Sequence, residues 1–142
     1  MRVLLLNLGN TTLLGGVITL GRLERRFRTP LANVRTGPKL RRFLAAEVRG
    51  PFDRAALCSV VPELTLPACA AVKRALGVTP RVLRAENAHS LRIAYKRPRE
   101  LGADRVAAAL GAHTSYPGRD KIVIDFGTVT TVTAVKADGT VA

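Results

Sequence analysis

The sequence predicts an α/β protein built on a layered sheet, with its opening strands repeated near residue 121. Three observations predict this. Residues 2–8 are almost wholly apolar, which suits a central strand buried on both faces. Strand-like and helix-like segments alternate after an opening three-strand meander. Val3 to Leu23 (VLLLNLGNTTLLGGVITLGRL) and Lys121 to Val141 (KIVIDFGTVTTVTAVKADGTV) also share one pattern of strand, Gly-containing polar turn, Thr/Val-rich strand and second turn. The pairs Asn7/Asp125, Gly9/Gly127, Thr12/Thr130 and Gly21/Gly139 keep the same spacing, as a duplicated domain would.

Along the chain, residues 12–20 and 22–29 read as the second and third strands, turning at Gly21 and ending at Pro30. Thr36 can cap a helix that begins near Pro38, with Leu40, Phe43, Leu44 and Val48 as its apolar stripe; Gly50 and Pro51 stop it. Residues 54–61 read as a buried strand. Pro62 opens a helix through about Leu76, with Gly77 at its end; Pro67 inside it implies a kink or a later start. A short strand over 80–84, a basic loop over 86–99 and a helix over 100–115 follow. The predicted order is βββαβαβα and then a new hairpin. The domain reading is a first lobe over 1–118 and the first hairpin of a second, similar lobe over 119–142.

Composition narrows the function classes. The 142 residues suffice for one domain with a real core. The net charge is +13, and the excess gathers early, in Arg22, Arg25, Arg26, Arg28, Arg35, Lys39, Arg41, Arg42, Arg49 and Arg54. Such a stretch can attract nucleic acid or anionic metabolites, yet no nucleic-acid motif accompanies it and a solvated basic surface accounts for it. With 4% aromatic residues and no Trp, base stacking is not an expected activity. Cys58 and Cys69 lie in apolar segments without metal spacing and read as buried thiols of a reducing compartment. The first apolar run stops at Asn7, too short for a secretory signal, and no segment approaches the ~20 apolar residues of a membrane helix. The cytoplasm is the expected location, with no membrane partner.

Two sites carry chemistry. In the turn Asn7-Leu8-Gly9-Asn10-Thr11-Thr12, Gly9 lets the backbone approach a phosphate, and the amide and hydroxyls add hydrogen bonds. An ordinary hairpin uses the same residues, but the recurrence at Asp125-Phe126-Gly127-Thr128 favours phosphate. Two such turns facing each other would grip a nucleotide. Asp125, a carboxylate ending a buried strand, suits a cation that accompanies phosphate. Gly102-Ala103-Asp104-Arg105 opens the third helix. There Asp104 suits a general base and Arg105 a fork for a substrate carboxylate, although an acid in a first helical turn with an adjacent Arg is also plain helix chemistry. His89 and His113 are isolated. Ser59 lies in no G-x-S-x-G elbow, and no G-x-x-x-x-G-K-[ST] or G-x-G-x-x-G loop occurs.

Together these segments resemble the type III pantothenate kinases of the actin-like (ribonuclease H-like) superfamily. That family's D-x-G-N-T motif appears as Asn7 to Thr11, its Ser-Val-Val-Pro as Ser59 to Pro62, its Tyr, Pro and G-A-D-R as Tyr95, Pro98 and Gly102 to Arg105, and its D-x-G-T-x-x-T as Asp125 to Thr131. The resemblance implies an actin-like lobe and ATP-dependent phosphorylation of pantothenate, the first step towards coenzyme A. It implies Asp104 as proton acceptor, and Tyr95, Gly102, Ala103, Asp104 and Arg105 at pantothenate. Asn7, Leu8, Gly9, Asn10, Thr11, Thr12, Leu13, Leu14 and Thr128 would hold ATP with Mg²⁺. Asp125 would hold a monovalent cation, K⁺ or NH₄⁺, and a full-length chain would form a homodimer. Two positions depart from the pattern: Asn7 stands where the family has Asp, and Arg97 where Asn is usual. Beside the kinase stand two alternatives, a catalytically impaired nucleotide- or pantothenate-binding paralogue or fragment, and a transcription accessory factor supported only by the basic stretch.

Overall fold

A computed structural model describes all residues, 1–142, and divides by packing into two compact units, 1–82 and 83–142.

The first unit is built round β1 (Arg2–Leu8). It pairs antiparallel with β2 (Thr12–Thr19), which pairs with β3 (Arg22–Pro30). On its other edge β1 pairs parallel with β4 (Arg54–Ser59), and β4 with the short β5 (Arg81–Val82), giving the order β3-β2-β1-β4-β5. Alternation sends Leu4, Leu6 and Leu8 of β1, Leu13 and Val17 of β2 and Ala55 and Leu57 of β4 to one face. The helices α1 (Gly37–Glu47) and α2 (Pro62–Leu76) complete that core with Leu40, Leu44, Ala68, Ala71 and Val72. Burying each of the leucines contributes roughly 1.5–3 kcal/mol.

The caps behave as read. Thr36 Oγ1 accepts the backbone N–H of Lys39, and Gly77 ends α2 in the left-handed conformation at φ +76°. Helix α2 runs through Pro67, its sixth residue, on the exposed side, where the ring removes the hydrogen bond an N–H would make to Glu63 C=O. Ser59 fixes the entry to α2: its Oγ accepts Val61 N–H at 3.2 Å and the Thr65 hydroxyl at 3.0 Å.

In the second unit, α3 (Ala103–Ser115) lies on a four-stranded sheet of order β6-β9-β8-β7. The strands are β6 (Arg92–Ile93), β7 (Lys121–Phe126), β8 (Thr130–Val135) and β9 (Thr140–Val141). Its small core contains Ala88, Leu101, Val106, Ala109, Val135 and Val141.

Three sequence expectations change. The stretch 86–99 is not all loop: Leu91, Ile93 and Tyr95 alternate inward onto this core, and Arg92–Ile93 make β6, a signal masked by Arg92 between them and by Lys96 and Arg97 just after. The third helix begins at Ala103 rather than at 100, because Pro98–Glu100 makes a separate 3₁₀ turn and Leu101 is extended. The repeat keeps one spacing along its first strand only. Leu8 opposes Leu13 across residues 9–12, whereas Phe126 opposes Thr130 across residues 127–129. The second turn is therefore one residue shorter, and Thr130 takes the ladder place of Leu13 rather than that of Thr12. By packing the chain divides at 82/83, because α3 shares its core with β8 and β9.

Candidate active site

The first-unit turn is tight. Gly9 N–H donates to Thr12 C=O at 2.9 Å, leaving Asn10 and Thr11 at the exposed tip. A Cβ on Gly9 would meet the Thr12 carbonyl at 3.2 Å, so the close approach of the two strands favours glycine. Thr11 C=O accepts Leu31 N–H at 2.8 Å, and Leu8 C=O accepts Val60 N–H at 3.0 Å; these bonds hold the turn from both sides. Leu8 and Leu13 are core residues, so only their main chain can face a ligand, whereas Leu14 is part-exposed on the opposite face of β2. Asn7 shares that opposite face, since it pairs with Leu14. Its Oδ1 is buried and accepts no hydrogen bond. An orphaned buried acceptor costs about 1–3 kcal/mol, which an incoming donor or cation would recover.

In the second unit, the start of α3 and the β7–β8 hairpin bring site residues together. Gly102 caps α3, and Asp104 sits in its first turn, where the helix dipole favours a negative charge. Asp104 Oδ1 accepts the backbone N–H of Arg105 at 2.8 Å; its second oxygen has no protein partner. Arg105 reaches outward to three groups. Nη2 donates to the Tyr95 hydroxyl at 2.7 Å and to Val132 C=O at 3.2 Å, and Nε donates to Thr133 Oγ1 at 3.2 Å. The guanidinium carbon is also 5.5 Å from the Tyr95 ring centre. Only Nη1 is left without a partner in the chain, so the fork expected for a substrate carboxylate is largely committed to the protein.

Thr133 opposes Val123, and Asp125 opposes Thr131, so the Asp125 carboxylate lies on the face of the sheet that carries Thr133. Asp125 is exposed and makes no hydrogen bond or ion pair. Thr128 lies in the exposed turn beyond it. Thr133 is the residue the sequence reading missed. It is 2% exposed, and its signal was the alternation of Thr131 and Thr133 in phase with Asp125.

No group of three or more His, Cys, Asp or Glu side chains converges. A cation here would be held by isolated oxygens together with phosphate oxygens of a ligand, as Mg²⁺ commonly is. Each unit offers one such oxygen of its own: the unpartnered Asn7 Oδ1 in the first and the unpaired Asp125 carboxylate in the second.

Against known families, residues 3–142 match the model of the type III pantothenate kinases. The chain belongs to the type III pantothenate kinase family. It is 35% identical over 139 residues to the type III pantothenate kinase of Legionella pneumophila strain Corby, covering 94% of this chain and 54% of that protein. It is 35% identical over 143 residues to that of Desulfosudis oleivorans, covering 96% and 56%. The chain thus spans about half the length of the curated relatives it matches. Among solved structures it resembles a ROK family glucokinase from Streptomyces griseus (TM-score 0.57, 15% identity, 97% of this chain and 45% of that one). It also resembles a ROK hexokinase from Thermus thermophilus (TM-score 0.53, 20% identity, 99% and 47%). At such identities the likeness shows the fold alone, an actin-like α/β fold, as the sequence predicted. No helix is long and apolar enough to cross a membrane.

Proposed function

We propose that the protein transfers the γ-phosphoryl group of ATP to the primary hydroxyl of pantothenate, giving 4′-phosphopantothenate and ADP, the entry to coenzyme A synthesis in the cytoplasm. Family membership supports the reaction class. The single structural observation that carries the reading is Asp104, a carboxylate tethered by one oxygen to its own helical turn with the other left open.

In this reading the open oxygen of Asp104 takes the hydroxyl proton as the substrate oxygen bonds to the γ-phosphorus and the β,γ-bridging bond breaks towards ADP. Phosphoryl transfer asks mainly for positioning and charge neutralisation, so one aligned base and a few fixed donors suffice. Tyr95, Gly102, Ala103 and Arg105 line the pantothenate side, with Arg105 offering Nη1. The turn Asn7 to Leu14 and Thr128 hold phosphate. Asn7 would hold Mg²⁺ with ATP and Asp125 would hold K⁺ or NH₄⁺, and these ions would neutralise charge on the phosphates. Residues 119–142 stand as the opening hairpin of a second lobe.

The orphaned Asn7 amide favours a second reading, in which the chain binds nucleotide or pantothenate with little turnover, because a neutral amide holds a divalent ion less well than a carboxylate. Turnover of pantothenate by the purified chain with Mg²⁺ and K⁺ decides between them. The kinase reading expects phosphopantothenate to form and Asp104→Asn to slow it by about 10²–10⁴-fold, the usual worth of a general base. ATP binding without product, from folded protein, selects the second reading.

A further inference from the structure

The layer formed by α1 and α2 carries a groove of about 350 Å³, within the roughly 300–1,000 Å³ of small-molecule pockets. Gly37 and Arg41 of α1 line one side, and Pro67, Ala70, Ala71 and Arg74 of α2 line the other. These positions recur at three- and four-residue steps, so each set shares one face of its helix. The helices come close at Gly37, where an added Cβ would stand 3.7 Å from the Pro67 carbonyl. The small side chains of Gly37, Ala70 and Ala71 leave the space open.

The charge of the groove says what it takes. Its lining has two guanidinium groups and no acid. The two helices contain only two carboxylates, and both are engaged elsewhere: Glu47 with Arg25 at 2.7 Å, and Glu63 with Arg35 at 3.8 Å. Arg41 and Arg74 have no hydrogen bond or ion pair within the chain. They come from different helices, so only the fold brings them to one groove. At the start of α1, Lys39 N–H is already taken by Thr36 Oγ1, so the two side chains supply the positive charge. A cleft lined by one sign of charge concentrates the opposite sign in it. A phosphate monoester carries about −1.5 to −2 at pH 7 and three acceptor oxygens, enough for a guanidinium fork from each side. A carboxylate brings one charge and two oxygens. Pro67, Ala70 and Ala71 offer no side-chain donor or acceptor, which suits an apolar body next to the phosphate.

We propose that the groove between α1 and α2 is a binding site for a small organic phosphate monoester, with the phosphate held between Arg41 and Arg74 and the body resting on Pro67, Ala70 and Ala71. The site goes beyond the kinase reading and stands apart from it, because it needs neither ATP nor turnover. It is also separate from the phosphate turn. The helices cover the sheet face of Leu4, Leu6 and Leu8, whereas Asn7 lies on the other face.

Titration of the isotope-labelled chain with phenyl phosphate, followed through its amide NMR shifts, tests the site. Saturable shifts are expected at Gly37, Ala70, Ala71 and Arg74. Arg41→Gln or Arg74→Gln should each raise the dissociation constant about tenfold, the usual worth of a hydrogen bond to a charged group. Both arginines are exposed, so neither change threatens the fold. Ala70→Leu keeps the charge and fills the groove, and it should weaken binding as well. Benzoate, with the same ring and a single charge, should bind about tenfold more weakly than phenyl phosphate, since it gives the two forks one group of two oxygens. The absence of saturable shifts overturns the proposal, and so do shifts confined to residues 9–12 or 127–129, which would place the anion at the turns. A dissociation constant indifferent to both arginine changes, or benzoate binding as tightly as phenyl phosphate, overturns it too.

Discussion

Arg105 holds Tyr95 by two contacts at once, a 2.7 Å hydrogen bond from Nη2 to the phenol and the approach of its guanidinium to the ring. Together with the bonds to Thr133 and Val132, this ties the first turn of α3 to both β8 and the segment after β6. Tyr95 therefore acts through Arg105, holding the guanidinium in place beside the start of α3.

Tyr95→Phe keeps the ring and removes the hydroxyl, leaving the Arg105 charge with one acceptor fewer. Hydrogen bonds to charged groups are worth about 1.5–3 kcal/mol, so the pantothenate KM should rise by roughly tenfold or more while kcat changes little. Steady-state kinetics check this. An unchanged KM with a lowered melting temperature would assign the pair to stability alone.

Asn7→Asp should raise ATP phosphoryl transfer with Mg²⁺, because a carboxylate is the better ligand for a divalent ion. In metal-free buffer the same change puts an unpaired charge where Oδ1 is now buried, so the melting temperature should fall, and Mg-ATP should restore it. Equal rates for both proteins would count against Asn7 as a metal-facing residue.

Gly15 lies opposite Phe27 in the β2–β3 ladder, and a Cβ there would overlap the ring. Phe27 is held from behind by Phe43, edge to face at 5.8 Å between ring centres. Gly15→Ala should therefore cost about 1–3 kcal/mol by overpacking. Thermal melts should show a drop of several degrees, smaller when Phe27→Leu makes room.

Asp138 accepts Thr140 N–H at 2.9 Å, and that bond, helped by the Thr140 hydroxyl and the nearby Arg92 and Lys136, holds its carboxyl below the usual range. A depressed folded-state pKa adds stability that is full above the unfolded value, about 3.9, and is lost as pH falls through the folded one. Between about pH 5 and pH 3 the urea midpoint should fall further for the wild type than for Asp138→Asn. Parallel losses would remove Asp138 from the acid limb.

Much of the molecule was legible in the sequence. The apolar run of β1, the Thr36 and Gly77 caps and the repeated Gly turns are local signals, since each element's period and its terminating residues lie next to one another in the chain. The kinase family was legible for the same reason, its motifs being short contiguous strings. β6 was not legible, because two residues of strand owe their existence to pairing with β9, far along the chain. Thr133 escaped because its partner, Arg105, lies on another element.

The sequence by itself determined the order of the elements apart from β6 and β9, the actin-like fold class, and the two Gly turns. Tertiary structure alone decided that Arg105 spends its Nε and Nη2 on Thr133, Tyr95 and Val132. It decided that the second turn is a residue shorter than the first, that α3 packs with the second hairpin, and that Ile122, Ile124 and Phe126 stay exposed where Leu4, Leu6 and Leu8 are buried. Residue type and spacing set what a segment can form, but burial and partner choice depend on which other surfaces reach it in space.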